Sequence, residues 1–262
     1  MPGELVIDRP ADGVLRLAVS NPAKRNALDH EILAAITGEL TALDEATRCV
    51  IVTGTDGMFS SGYDISEIAP EEFAEEAEKL VAHPFCEALA ALDAADVPTL
   101  AVLTGSAIGG GLELAVSCDL RLAGEQVKLG MPPAKLGLIY SHTGLRRFLD
   151  AIGEPRTREM FLLGRYIDAE TALAWGLVNW VVEREELETT ALELATQLAH
   201  NSPLSMAGNK RVLRELLHAE GALDPDVERE MLSLRASSFR SQDLLEGVSA
   251  FTQKRTPSWK GR

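Results

Sequence analysis

Two short stretches carry the chain's clearest chemistry: FSSGYDI (Phe59 to Ile65) and AIGGGLELAVSCDL (Ala107 to Leu120). Each follows an apolar run, CVIVTG or TLAVLTG, and opens into small residues and a helical pattern. Backbone N–H groups are therefore exposed at a turn and at a helix start. Two such amides can hold one oxyanion, and a fixed donor in a dry pocket is worth ~3 kcal/mol where charge builds on a single oxygen. The triple glycine, Gly109 to Gly111, lets a ligand approach the backbone closely, and the helix after it aims its positive end at a developing enolate. This is a site for thioester or acyl chemistry. Other motif chemistries are missing: there is no GxGxxG after a strand, no GxxxxGK[ST], no GxSxG and no HExxH. The five histidines (30, 83, 142, 200 and 218) have no metal-ligand spacing, so no metal is expected.

The elements that must position these stretches read as alternating strands and helices. Residues 13–21, 48–54, 99–105, 119–124 and 176–182 are short, mostly buried strands. Leu28, Ile32, Ile36, Leu40 and Leu43 recur as one face of a helix. A second helix begins at Phe73, Ala77, Leu80 and Val81, is interrupted at His83-Pro84, and resumes with Leu89 and Leu92. The acidic run Glu71 to Glu78 is a solvated helix face. The pattern is α/β with parallel crossovers. A boundary falls near Asn201-Ser202-Pro203, dividing a core (1–200) from a helical appendage (201–262) interrupted at Gly221 to Asp226.

Composition narrows the partners. A chain of 262 residues with 46% hydrophobic content buries a sizeable core. Its net charge of −15, from 40 acidic and 25 basic residues, argues against nucleic acid or a membrane surface as partner. Cys49, Cys86 and Cys118 are widely spaced in apolar segments and read as buried reduced thiols, and the expected location is cytoplasmic. No window reaches the ~20 apolar residues of a membrane span.

The segments NPAKRNAL (Asn21 to Leu28), FSSGYDI, GSAIGGGLELAVSCDLRLA (Gly105 to Ala123), LGRYIDAETALAWGLVNWVV (Leu163 to Val182) and FTQKRTPSW (Phe251 to Trp259) resemble the enoyl-CoA hydratase/isomerase, or crotonase, superfamily, in that family's order. The resemblance implies a spiral of ββα units and a C-terminal helical trimerisation region. It also implies homotrimers or hexamers that bind acyl-CoA thioesters, with no cofactor beyond the CoA of the substrate. In the family the oxyanion hole uses the amide after the glycine of the first motif and the middle amide of the triple glycine. These are Tyr63 and Gly110. Ser61, Gly62, Asp64 and Ile65 belong to the same loop. In an acidic chain the basic pairs Lys24-Arg25 and Lys254-Arg255 are informative for phosphate binding. By the resemblance, Lys24 and Arg25 lie near the nucleotide end of CoA, while Lys254 and Phe251 reach the CoA of a neighbouring subunit.

Hydratases of the family use two glutamates, and Glu113 fills the first position. Pro133 stands where the second is expected, and proline cannot transfer a proton. The segment Gly130 to Gly144 is instead similar to methylmalonyl-CoA decarboxylases of the same superfamily, in Met131, Pro133-Ala134, Leu136-Gly137, Tyr140 and Gly144. Those enzymes carry a histidine where this chain has Tyr63. In such chemistry the hole holds the thioester oxygen, a malonyl carboxylate leaves as CO₂, and the enolate is protonated. Tyr140 is a candidate to place the carboxylate or the proton, with His142 a further one. An ionised Glu113 ~4 Å from a substrate carboxylate would cost about 4 kcal/mol at an effective dielectric of 20, so Glu113 is protonated or stands aside. Three readings stay open: a lyase that decarboxylates a malonyl-type CoA ester, a hydratase or isomerase with Glu113 as its one glutamate, and a non-catalytic acyl-CoA binder.

Overall fold

The computed structural model describes residues 3–63, 84–221 and 225–260. The expected helix from Phe73 to Val81, the acidic run Glu71 to Glu78, His83, Asp64 and Ile65 lie outside the described residues.

Two sheets form the frame. The larger has the order β1 (Glu4–Ala11), β2 (Val14–Ser20), β3 (Cys49–Gly54), β5 (Thr99–Leu103), β7 (Leu120–Gly124) and β10 (Trp180–Val182). Only the β1/β2 hairpin is antiparallel in it. The smaller sheet joins β4 (Met58–Ser60), β6 (Ser106–Ile108), β8 (Lys128–Gly130) and β9 (Tyr166–Asp168). From β3 to β8 the chain thus lays one strand in the large sheet and the next in the small one before each helix. This is the expected ββα repeat.

Alternate residues of the central strands point to opposite faces, which is why these strands read as unbroken apolar runs. Val50, Val52, Ala101 and Leu103 face the main core, where Ile32, Leu33 and Ile36 of α1 (His30–Thr41) and Leu89 and Leu92 of α2 (Cys86–Ala94) cover them. On the other face Cys49, Ile51, Leu100 and Val102 pack beneath Leu187, Ala191, Ala195 and Ala199. The latter four come from α7 (Leu187–His200). Between these, α3 (Gly110–Val116), α4 (Pro133–Leu136), α5 (His142–Leu163) and α6 (Ala169–Trp175) surround the small sheet. The chain ends in α8 (Pro203–Gly221), α9 (Pro225–Phe239) and α10 (Gln242–Thr252). α8 is moored to the core by Lys210, whose Nζ donates to the Leu92 and Val97 carbonyls at 3.1 and 3.2 Å and to Asp119 Oδ2 at 2.8 Å.

Several expectations are corrected. β1, β4, β6, β8 and β9 were not foreseen: four of them span only three residues, and β1 contains Pro10, a poor strand signal away from an edge. Only Trp180–Val182 of the 176–182 segment is strand, because Gly176 ends α6 in the left-handed region and Leu177 N–H donates back to Ala172. Leu28 and Leu43 fall outside α1, which starts at the Asp29 cap, its carboxylate accepting from Ile32 N–H. The C-terminal helices also break at 240–241, where Ser241 caps α10, a break the sequence reading does not place. Cys49 and Cys118 are buried but Cys86 is exposed, since Ala88, Leu89, Ala91 and Leu92 carry the inner face of α2.

One buried side chain stitches the loops that will frame the site. Asn26 has a left-handed backbone (φ 56°). Its Oδ1 accepts from Asn21 N–H at 2.8 Å, while Nδ2 donates to the Thr55 and Met58 carbonyls at 2.9 and 2.7 Å. Asn26→Ala removes all three bonds and strains the backbone, so unfolding stability should fall by roughly 3 kcal/mol. A urea titration checks this: an unchanged midpoint would show that the stitch contributes nothing.

Candidate active site

The first wall of the site is the turn after β4. Gly62 has φ 97°, and a Cβ there would lie 2.9 Å from the Ile108 carbonyl oxygen and 3.3 Å from Gly110 N. Only glycine fits so close to a neighbouring backbone at that φ. The turn is clamped from behind: Ser61 N–H donates to Arg25 O at 3.1 Å, Ser61 Oγ to Lys24 O at 3.0 Å, and Leu28 N–H to Gly62 O at 2.7 Å. Tyr63 and Leu28 form a parallel bridge. In it the Leu28 bond is made to Gly62, so the Tyr63 amide is not spent on it.

The second wall is the start of α3. Gly109 N–H donates to Gly130 O at 2.9 Å, which ties the turn to β8. Gly110 is the first residue of the helix, a position whose N–H has no intrahelical acceptor. Gly62 thus brings the Tyr63 turn against the Gly110 amide, as the two sequence stretches anticipate. The Tyr63 ring lies over Gly110, where an added Cβ would meet Cε1 and Cζ at 2.8 Å, and its edge meets the Phe85 ring at 4.8 Å.

One turn into α3 stands Glu113, 2% exposed. Its Oε2 accepts from the Tyr140 hydroxyl at 2.5 Å. Its Oε1 faces Arg147 Nε at 3.9 Å. The approach is possible because residue 144 is glycine: a Cβ there would lie 2.9 Å from Oε1 and 2.6 Å from Tyr140 Cε1. Burial pushes the Glu113 carboxyl above the usual carboxylate range, against the opposing pull of the Tyr140 bond and of the Arg147 and Arg235 charges. Burial also holds the Tyr140 and Tyr63 phenols well above their ordinary range, with the charge of Glu113 adding to both. Tyr63, Tyr140 and Glu113 thus gather three proton-carrying groups beside the Gly110 amide, with the Tyr140 hydroxyl bonded to Glu113.

The remaining candidates fall elsewhere. His142 opens α5, and its Nε2 lies 3.5 Å from Glu228 Oε1 on α9, away from the Glu113 carboxylate's own partners. Lys24 and Arg25 contribute carbonyls to the Ser61 clamp, and the Arg25 guanidinium meets Met58 Sδ at 4.0 Å. Phe251, 71% exposed, and Lys254 lie at the end of α10. Pro133 is buried as the first residue of α4, so no carboxylate enters from that position. Three participants were missed in the sequence: Arg147, Asp93 and Arg235. Each is one charged residue among many on a helix, and none has a spacing that marks it.

The arrangement can polarise one carbonyl oxygen between two backbone amides and pass a proton through Tyr140. Residues 9–262 match a family model described as enoyl-CoA hydratase/isomerase. The chain is 35% identical to 2,3-dehydroadipyl-CoA hydratase of Escherichia coli (strain K12), over 99% of each chain. It is 34% identical to carnitinyl-CoA dehydratase of Salmonella typhi, over 95% of each. Among solved structures, methylmalonyl-CoA decarboxylase complexed with 2S-carboxypropyl CoA superposes with a TM-score of 0.90 at 27% identity, over 98% of each chain.

Gly110→Pro tests the hole directly. Proline is tolerated at a first helical position, so the helix should form with the Tyr63 ring pushed aside, and with the N–H deleted turnover of any thioester should fall about 100- to 1,000-fold. A folded variant, judged by circular dichroism, with near wild-type turnover would remove Gly110 from the hole.

Proposed function

The chain belongs to the enoyl-CoA hydratase/isomerase family, and on that premise we propose that it is a lyase that decarboxylates a malonyl-type CoA thioester such as methylmalonyl-CoA. The observation that carries this reading is the Tyr140 hydroxyl held on Glu113 Oε2 at 2.5 Å beside Gly110, with buried Pro133 where a second carboxylate would be needed for hydration. The Tyr63 and Gly110 amides receive the thioester oxygen. The bond from the α-carbon to the substrate carboxylate breaks, its electron pair enters the enolate, and CO₂ leaves; no base is required to begin. For delivery the Glu113–Tyr140 hydrogen bond reverses: Glu113 Oε2, carrying the proton that burial favours, donates it to the Tyr140 oxygen as Tyr140 passes its own to the α-carbon. Glu113 is left ionised and recovers a proton from solvent. A protonated Glu113 also removes the repulsion between two carboxylates in one pocket.

A second reading has its own support in the 35% identity to a hydratase. In it Glu113 alone moves protons for hydration or isomerisation. Either substrate would place its CoA by Lys24 and Arg25 at one end. Phe251 and Lys254 would serve a neighbouring subunit in a homotrimer or hexamer built on the C-terminal helices, whose exposed Leu204, Val212, Leu213 and Leu216 suit such contacts.

Product masses after parallel incubation with methylmalonyl-CoA and crotonyl-CoA separate the chemistries, since one loses CO₂ and the other gains water. Under decarboxylation, Glu113→Gln keeps most single-turnover CO₂ release, which precedes the proton that Glu113 supplies, while Tyr140→Phe loses about 10- to 100-fold with the hydroxyl that steers the carboxylate. Collapse of CO₂ release in Glu113→Gln beside a near-normal Tyr140→Phe would sink this mechanism. Tight acyl-CoA binding by an unmutated protein inactive on both esters would point to a binder.

A further inference from the structure

We propose that Arg147 is a positioning residue that sets the charge of Glu113, with Asp93 as its counterweight; this rests on the reading above that Glu113 faces the reacting acyl group. Arg147 projects from α5, and its Nη1 and Nη2 donate to Asp93 Oδ1 and Oδ2 at 3.2 and 2.9 Å. This two-pronged grip fixes the guanidinium plane and does not engage Nε. That Nε is buried and has no hydrogen-bond partner among the described residues. The charged group it faces is Glu113 Oε1 at 3.9 Å, too far for a hydrogen bond but close enough for a strong unscreened interaction. Asp93 is itself held, its carbonyl accepting from Arg214 Nη1 of α8 at 2.7 Å. Arg147 can therefore neither swing onto Glu113 nor leave it.

Among the described residues, the charged and titratable groups around Glu113 each take a side. Arg147 from α5 and Arg235 from α9 favour the ionised carboxylate, as does the Tyr140 hydroxyl bonded to Oε2. Asp93 from α2 and burial favour the protonated form. Tyr63 and Cys86 feel the charge of Glu113 in turn. Arg235 lies over the Phe239 ring at 5.3 Å on the turn of α9 that packs on the Tyr140 segment, where Ile139 N–H donates to Ser238 Oγ at 3.1 Å. It acts from the helix side, whereas the Arg147–Asp93 pair acts from the core side. A cation whose charge is half-answered by Asp93 leaves Glu113 poised between its two forms. An unanswered arginine would lock it ionised, and the absence of arginine would lock it protonated.

The sign of the effect makes the test specific. The Glu113 carboxyl band is assigned in the infrared spectrum by its loss in Glu113→Gln and then titrated with pH in the full chain without substrate. Arg147→Gln should move the midpoint up by about one pH unit or more, and Asp93→Asn should move it down by a comparable amount. Arg147→Lys, which keeps the charge and loses the fork, should stay within about half a unit of wild type. A merely structural pair would shift both variants together or not at all, and either result would overturn the assignment. If Arg147→Gln fails to fold, the downward shift in Asp93→Asn and the small one in Arg147→Lys still decide it. Because the titration involves no substrate, opposite shifts in a protein that releases no CO₂ would keep the pairing and discard the decarboxylase reading.

Discussion

A carboxyl group removed from water must be answered by hydrogen bonds or charge, and Glu113 is the point at which this chain meets that demand. It sits one turn after Gly110 in a helix buried from Gly110 to Ala115, so it cannot retreat to the surface. Removing one partner from a buried charge typically costs 3 to 5 kcal/mol, which explains why several separate elements converge on it. Tyr140 arrives from the segment between α4 and α5, Arg147 from α5, Asp93 from α2 and Arg235 from α9. Gly144 is the gap that lets them meet. The α8 moorings, Lys210 on the end of α2 and Arg214 on Asp93, tie the C-terminal helices to the same point.

The two walls of the hole obey a different constraint, steric rather than electrostatic. Backbone must touch backbone for two amides to share one oxygen, and the approach of Gly62 to Ile108 O and Gly110 N leaves no room for a side chain. That contact is held by strands of the small sheet, each three residues long, and these are too short to be stable alone. They are stable because the large sheet, buried on both faces, fixes where each crossover returns. Asn26 then locks the outer loop to the β3–β4 turn.

What could be read from the chain follows this division. The large-sheet strands were legible because burial on both faces writes continuous apolar runs, and the approach of the Gly62 turn to Gly110 was legible because close backbone contact demands glycine in a recognisable order. The short strands of the small sheet were not, since three residues carry no periodicity. Tyr140 was visible only through its segment's likeness to a family, and its bond to Glu113 was not visible at all, because 27 residues of sequence separate them. Arg147 and Asp93 lie 54 residues apart on helices rich in charge, where nothing local distinguishes a buried pair from a solvated one. His142, two residues past Tyr140, is placed otherwise: at the start of α5 its Nε2 lies 3.5 Å from Glu228 Oε1, a neighbour that nothing in the sequence marks.

The same physics links the site's electrostatics to its choice of reaction. A hydratase divides proton removal and delivery between two carboxylates, and it needs at least one of them ionised at working pH. Here the second position is filled by a buried proline, while the first is desolvated, bonded to a phenol and balanced between an arginine and an aspartate. Such a carboxyl is well placed to be a proton store and poorly placed to be a free base. Loss of CO₂ asks for that division of labour: the hole stabilises the enolate, the leaving carboxylate supplies the electron pair, and a single proton remains to be delivered. On the proposed reading Tyr140 carries a proton from that store to the substrate, so the direction of the hydrogen bond between Glu113 and Tyr140 decides whether the site gives a proton or only accepts one.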